Sequence, residues 1–425
     1  MRITSTALLV ALVAAITLVV YHVTSAMLIP PAGQGYWHTE GVQIDDVNNR
    51  PVRIAGVTWF GMESAYWVPA GLDYQPYTRI MDEVKALGYN TIRLPLSNQV
   101  IEQNPIVTQM VAANPQLKGQ HALTVLDDIV DYAHKIGLKI ILDNHRNMAA
   151  TRHEVNFLNE GLWYSPGYPS SAWLRDWEFL ARRYKGNDTV IGFDLRNEPH
   201  TQGPGPWNLH AYLYQGATWG PYRGVDNPNT DWRLAATRAG NAILKINPHL
   251  LIIVEGLQLY PWSPTSSAVE NYWWGSILRQ VRQYPVVLKV PHQLVYEAHD
   301  WGPWKWEMAW FKHMSYAGLQ KVWESNWAFI DNPTWKFAAP VWIGEFGTCT
   351  TNPQCIDDVR PGNQAQWFHF LLRYLHDHPE IGWSFYALNG TNSNDHTADN
   401  GLLNAHWDGV QIPALQKDLA SIQDQ

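Results

Sequence analysis

The run Val190-Ile-Gly-Phe-Asp-Leu195, followed at once by Arg196-Asn-Glu-Pro199, decides how the rest of the chain reads. A short, mostly apolar run stopped by polar residues and a proline suits a buried strand and is too short for a helix. Comparable runs occur at Arg53–Trp59, Asn90–Leu94, Leu138–Asp143, Leu250–Val254, Gln293–Ala298, Pro340–Gly344 and Gly382–Leu388. Between them lie stretches of helical period at Tyr77–Leu87, Leu123–Ile136, Ala172–Tyr184, Asp231–Ile246 and Gln364–His376, and Gln411–Ile422 follows the last strand. Eight strands alternating with helices, with no Gly/Ser linker, predict an α/β fold, a single (β/α)8 TIM barrel. A doubly wound sheet is the runner-up, but it calls for a glycine-rich phosphate loop after an early strand. Neither Gly-x-Gly-x-x-Gly nor a P-loop pattern occurs.

Upstream, Tyr36 to Arg53 alternates and breaks at Asn48-Asn49, which predicts an N-terminal β-hairpin plugging one end of the barrel. The barrel domain is therefore expected over residues 36–425, with residues 1–35 outside it and dispensable. In that leading segment Arg2 precedes an apolar run from Ala7 to Tyr21, interrupted only by Thr17, and a short polar stretch follows. This reads as a secretion signal. An uncleaved membrane anchor is the alternative, although the run is short of the roughly 20 residues that span a bilayer. The two cysteines, Cys349 and Cys355, are close in sequence, and in an exported protein they are expected to pair and clamp that loop.

The 425 residues allow one large barrel or two to three smaller domains. The formal charge of −8 gives no basic surface for nucleic acid or anionic lipid, so a nucleic-acid partner is not expected. Charged residues are only 16% of the chain, while 23 are tryptophan, an excess suited to a core or to a cleft that stacks flat sugar faces. Trp173, Trp177 and Trp367 lie on helical stretches and read as core; Trp207, Trp219, Trp301, Trp304, Trp306 and Trp310 fall in the long segments after strands four and six and read as cleft walls.

Barrel chemistry sits at the carboxyl ends of the strands. Those ends carry Arg93, then Asp143-Asn144-His145-Arg146, Arg196-Asn197-Glu198-Pro199, Glu255, His299-Asp300-Trp301 and Gly344-Glu345-Phe346-Gly347. Two carboxylates facing across one mouth suit glycoside hydrolysis, in which one protonates the leaving oxygen and the other attacks or activates water. Glu198 and Glu345, ending strands four and seven, are the best-placed pair, and Glu255 is a competitor. For a lone acid at a strand end, an ion pair or a loop cap is the plain alternative. His376-Asp377-His378 has a metal-ligand look, but it lies at a helix end beside Pro379, where histidines suit the negative terminus, so no metal or other cofactor is expected.

Arg-Leu-Pro at Arg93, Asp-Asn-His at His145, Asn-Glu-Pro at Glu198, Ala-His-Asp at His299 and Gly-Glu-Phe-Gly at Glu345 together resemble, in order, the motifs of the cellulase family, glycoside hydrolase family five. The likeness runs from about Tyr36 to the last strand, and stretches such as Leu294-Val-Tyr-Glu-Ala-His resemble secreted bacterial endoglucanases. The resemblance implies a retaining endo-β-1,4-glucanase with Glu198 as acid/base and Glu345 as nucleophile. It also implies that Asn197 donates to a sugar 2-hydroxyl, that Arg93 keeps Glu345 ionised, and that His145 and His299 hold substrate hydroxyls or orient the acids. Two positions depart from the family pattern: Trp301 stands where members usually carry tyrosine, and Tyr386 takes the stacking position usually held by tryptophan, with Trp383 three residues earlier. A poly- or oligosaccharide substrate and a monomeric, secreted or membrane-tethered enzyme are expected. The same chemistry on mannan, xylan or a glycoconjugate, transfer to sugar instead of water, or a carbohydrate-binding barrel without turnover are the alternatives.

Overall fold

The computed structural model describes residues 33–149, 157–203, 205, 207–222, 227–261, 268–390 and 399–423. The apolar leader at Ala7–Tyr21 lies outside the described residues, and among those described no helix is long and apolar enough to cross a membrane. Eight parallel strands close a barrel: β1 (Ala55–Thr58), β2 (Thr91–Ser97), β3 (Lys139–Arg146), β4 (Val190–Asp194), β5 (Leu251–Glu255), β6 (Leu294–Asp300), β7 (Val341–Phe346) and β8 (Gly382–Phe385). Outside them pack α1 (Tyr77–Ala86), α2 (Ala122–Ile136), α3 (Ser170–Arg183), α4 (Trp232–Ile246), α5 (Tyr316–Asn326), α6 (Gln364–Asp377) and α7 (Pro413–Ala420). All eight expected strands and the hairpin are present.

Local chemistry sets the helix ends. Asp231 accepts from the Leu234 N–H to cap α4 and Asn363 from the Gln366 N–H to cap α6, while Gly137, at φ 75°, terminates α2 in the left-handed conformation. Between β5 and β6 the described residues hold no α-helix. That connection carries a second hairpin, Leu259–Pro261 against Val269–Asn271, on the mouth side, and then a single 3-10 turn, Arg279–Arg282.

The interior is layered. At the amino end, Trp37 and Ile44 of the N-terminal hairpin (His38–Glu40 paired with Gln43–Asp45) pack against Ile141, Ile253, Val295 and Trp342, a dry plug as the sequence led us to expect. The hairpin turn itself falls at Gly41, φ 60°, and Asn48-Asn49 makes the next turn, in which Asp46 accepts from the Asn48 and Arg50 N–H groups. Above the plug the inward positions become charged, with Arg93, Asp143, Asp194, Glu255 and Glu297 all fully buried. The mouth lies above that layer.

Cys349 and Cys355 are disulfide-bonded after β7. Closing so short a loop removes about 2 kcal/mol of unfolded-chain entropy. The double serine variant is therefore expected to lose about that much unfolding free energy, read as a lower urea midpoint at unchanged slope, while its turnover at low urea stays intact, which paired denaturation and activity curves would check.

Candidate active site

Arg93 projects from β2 into the barrel axis and is the hub of the charged layer. Its Nη1 donates to Glu345 Oε1 at 2.7 Å, its Nη2 to Asp194 Oδ2 at 2.7 Å and to Asn197 Oδ1 at 2.9 Å. Asp143 lies 3.2 Å away, Glu255 3.5 Å and Glu297 3.9 Å. Five buried carboxyls thus share one guanidinium. Five buried charges against one cannot all be ionised, because desolvation penalises each and mutual repulsion adds to it. Burial accordingly pushes Asp143 and Asp194 up to about 7 and Glu255 and Glu297 well above the ordinary carboxylate range. Arg93 is raised well above its own ordinary value: burial opposes its charge, but Asp143, Asp194, Glu345 and Glu297 outweigh it.

Glycines make room for this layer. A Cβ at Gly344, at the β6–β7 register shift, would fall on Glu297 Oε1, and one at Gly275 would fall on Glu255 Oε2.

Glu198 follows β4 with φ 50°, a conformation an L side chain rarely adopts. Its N–H donates to Glu255 Oε2 at 2.7 Å, which holds the strained turn in place. Its carboxyl meets His299 Nδ1 at 3.0 Å, while Glu345 Oε2 is 3.7 Å from the same nitrogen. One oxygen of Glu198 and one of Glu345 lie within 4.8 Å of each other. Glu255, the competitor, is fully buried beneath the pair and not at the opening.

Burial raises Glu198 to about 7 against the pull of Lys305 and Arg93, and raises Glu345 to about 7 against His299 and Arg93. The nearest charge decides which of them keeps the proton. Glu345 touches a guanidinium; Glu198 touches an imidazole that burial drives down to about 4 and so leaves neutral. That contrast favours the proton on Glu198 over Glu345.

The other residues of the strand-end motifs lie around this pair. Asn197 must turn its carbonyl to Arg93, which can only donate, so its NH2 is left to donate elsewhere. His145 is fixed by a 2.7 Å bond from Nδ1 to Asp143 Oδ2 and, driven well below its ordinary value by burial, is neutral. Trp301 and Tyr386 meet edge to face with centroids 5.9 Å apart, and Tyr386 also stacks on Phe60.

Among the described residues three groups bring ligand-type atoms within 4.8 Å: Glu198 with His299 and Glu345, Glu255 with Glu297 and His299, and Asp331 with His378 and Glu380. Arg93 already supplies the positive charge to the first two. The third sits by the amino end of β8, away from the mouth, where His378 bonds Glu380 at 3.0 Å; His376 pairs with exposed Asp377.

The model of the cellulase family, glycosyl hydrolase family 5, matches residues 46–392. The chain belongs to that family. As a family 5 member it is a glycosidase. It is similar to an endoglucanase of Paenibacillus polymyxa, 37% identical over 88% of this chain and 84% of that one. It is also similar to the major extracellular endoglucanase of Xanthomonas campestris, 28% identical over 87% of this chain and 67% of that one. Among solved structures, a cellotetraose complex of the endocellulase from Pyrococcus horikoshii aligns with TM-score 0.75 at 28% identity, covering 93% of this chain and all of that one.

Two members of the charged layer escaped the reading of the sequence. Asp194 and Glu297 were not singled out. Asp194 is a lone acid ending an otherwise apolar strand, four residues before Glu198, and Glu297 sits two residues before His299 after the apolar start of its strand; those positions were the available signal. Of the tryptophans expected to wall the cleft, Trp219 is buried, its indole N–H donating to the Tyr284 carbonyl at 2.8 Å, and Trp310 packs on Tyr272; Trp306 is 63% exposed. Trp173, Trp177 and Trp367 are core, as expected.

Proposed function

We propose that this family 5 glycosidase cleaves β-1,4-linked glucan internally and with retention, Glu345 attacking the anomeric carbon while Glu198 protonates the leaving oxygen and then activates water. The observation that carries retention is the closeness of the two carboxyls, one oxygen of each lying within 4.8 Å of the other; the roles follow from Arg93 on Glu345 and neutral His299 on Glu198. So close an oxygen pair favours the roughly 5–5.5 Å carboxyl spacing of retaining enzymes over the roughly 6.5–9.5 Å needed to seat a water between acid and base. Arg93 keeps the attacking group charged, the Asn197 NH2 is available to a 2-hydroxyl as the ring becomes oxocarbenium-like, and His145 Nε2 is the ring atom left for a hydroxyl. The glucan assignment is supported by the endoglucanase relatives and by the neighbour crystallised with cellotetraose. Reducing-end release from soluble β-glucan, mannan and xylan, with product analysis, tests it. Cello-oligosaccharides that appear first as β anomers are expected; faster release from mannan or xylan would reassign the substrate, and no release from any would leave a binding barrel.

A pH profile tests the role of Glu198 separately. Because both carboxyls are raised to about 7, kcat/KM should be bell-shaped around neutrality, falling at low pH as Glu345 gains a proton and at high pH as Glu198 loses one. With an activated aryl glycoside, Glu198→Gln should keep the acid limb and lose the alkaline one.

Secretion is the reading we favour for the leader, supported by the apolar run, the disulfide and the extracellular Xanthomonas relative. Gly35 already bonds to the barrel, accepting from Lys139, and Gly33 accepts from Trp37 of the plug. Deleting residues 1–32 should therefore leave a folded, active monomer, checked by thermal melting, gel filtration and turnover.

A further inference from the structure

His299 is surrounded by acids on both ring nitrogens. Glu198 meets Nδ1 at 3.0 Å, with Glu345 3.7 Å away; on the other side Glu297 meets Nε2 at 3.3 Å and Glu255 lies 3.5 Å away. Arg93 is the cation of the layer. A neutral imidazole has one N–H and one lone pair, so one neighbour must donate to it and another must accept from it. Glu255 Oε2 already accepts from the Glu198 backbone N–H, and its Oε1 faces the Arg93 guanidinium at 3.5 Å, a donor-only neighbour that favours an accepting oxygen there. Glu297 is different. It is the carboxyl farthest from Arg93, it is fully buried, its Oε2 has no hydrogen-bond partner, and its space exists because residue 344 is glycine. A carboxylate so placed would be uncompensated, whereas a carboxylic acid there has a lone pair to donate to at His299 Nε2.

We propose that Glu297 is a positioning residue which, as a neutral acid, donates to His299 Nε2 and so keeps the ring proton on Nδ1, where it bonds Glu198 Oε1 both before and after Glu198 gives up its own proton. The inference rests on Glu198 being the acid/base. With Nδ1–H fixed on Oε1, the proton of Glu198 resides on Oε2 and faces the leaving oxygen; when it has left, the same N–H meets the new carboxylate without rearrangement. The opposite tautomer would place a lone pair against that carboxylate and would tie up the Glu198 proton as a donor to the ring.

The ring tautomer can be read directly in the full-length enzyme by 15N spectra of histidine, with His299→Asn assigning the signals. Nδ1 should be protonated and Nε2 bare through neutral pH; a protonated Nε2 in the wild type overturns the proposal. Glu297→Gln keeps a donor and should hold kcat/KM within about threefold. Glu297→Leu removes the donor. It should cut kcat/KM for poor leaving groups on the order of 10–100-fold, affect activated aryl glycosides less, and move the alkaline limb upward because Nδ1 no longer favours the Glu198 carboxylate. Equal losses on both substrates with an unchanged limb would mark Glu297 as merely structural. A wrong role for Glu198 would show elsewhere, as a Glu198→Ala variant indifferent to the leaving group, with the ring spectrum unaffected.

Discussion

Glu345→Ala is expected to lose turnover on the order of 10⁴-fold or more, on polysaccharide and activated aryl glycoside alike. The residue that would form the covalent glycosyl-enzyme is gone, and no improvement in the leaving group replaces an attacking atom. The geometry makes the loss specific: Glu345 Oε1 is held by Arg93 at 2.7 Å, so the carboxylate has a fixed position that water does not reproduce. Added azide should rescue the variant only by attacking from the vacated face, giving the α-glycosyl azide. Measuring kcat/KM and the anomer of the azide adduct checks both statements, and a β adduct would exchange the roles of the two glutamates.

Glu198→Ala should give a loss that depends on what departs. Positioned acid catalysis contributes about 10²–10⁴-fold. That loss should fall on substrates whose leaving oxygen needs a proton, while an aryl glycoside with an acidic phenol still forms the covalent intermediate and then stalls. Azide should restart it with a β-glycosyl product. If Glu255→Ala abolished turnover in this leaving-group-dependent way while Glu198→Ala did not, the acid would have to be reassigned to the buried competitor.

The barrel was legible because its strands are short apolar runs that end in polar clusters, a pattern local enough to see without partners. The strand ends were less so. β2 runs on through Pro95 to Ser97, and β3 through Asn144, His145 and Arg146, because Pro95–Ser97 and Asp143–Arg146 pair with each other at the mouth. A proline and three polar residues look like a loop until their partner is known. Helix α5 was hidden by Gly318 and by the tryptophan-rich segment before it, although Leu319, Trp323 and Asn326 do form a buried face. The acid pair could be picked out since motifs mark it, whereas the charge-sharing beneath it could not. Nothing in Val-Ile-Gly-Phe-Asp says that Asp194 clasps an arginine a hundred residues away; only ring closure brings them together. Trp219 was misplaced for a related reason, since a loop residue can face inward when a carbonyl waits for its N–H.

The positive φ of Glu198 sets evolution and engineering on a slope. A glutamate in that conformation costs of order 1 kcal/mol that a glycine would largely recover. Variants selected for heat tolerance alone should therefore drift toward silence at position 198, trading the enzyme for a sturdier lectin-like barrel that still grips glucan. Any thermostability screen on this scaffold needs turnover as a second criterion.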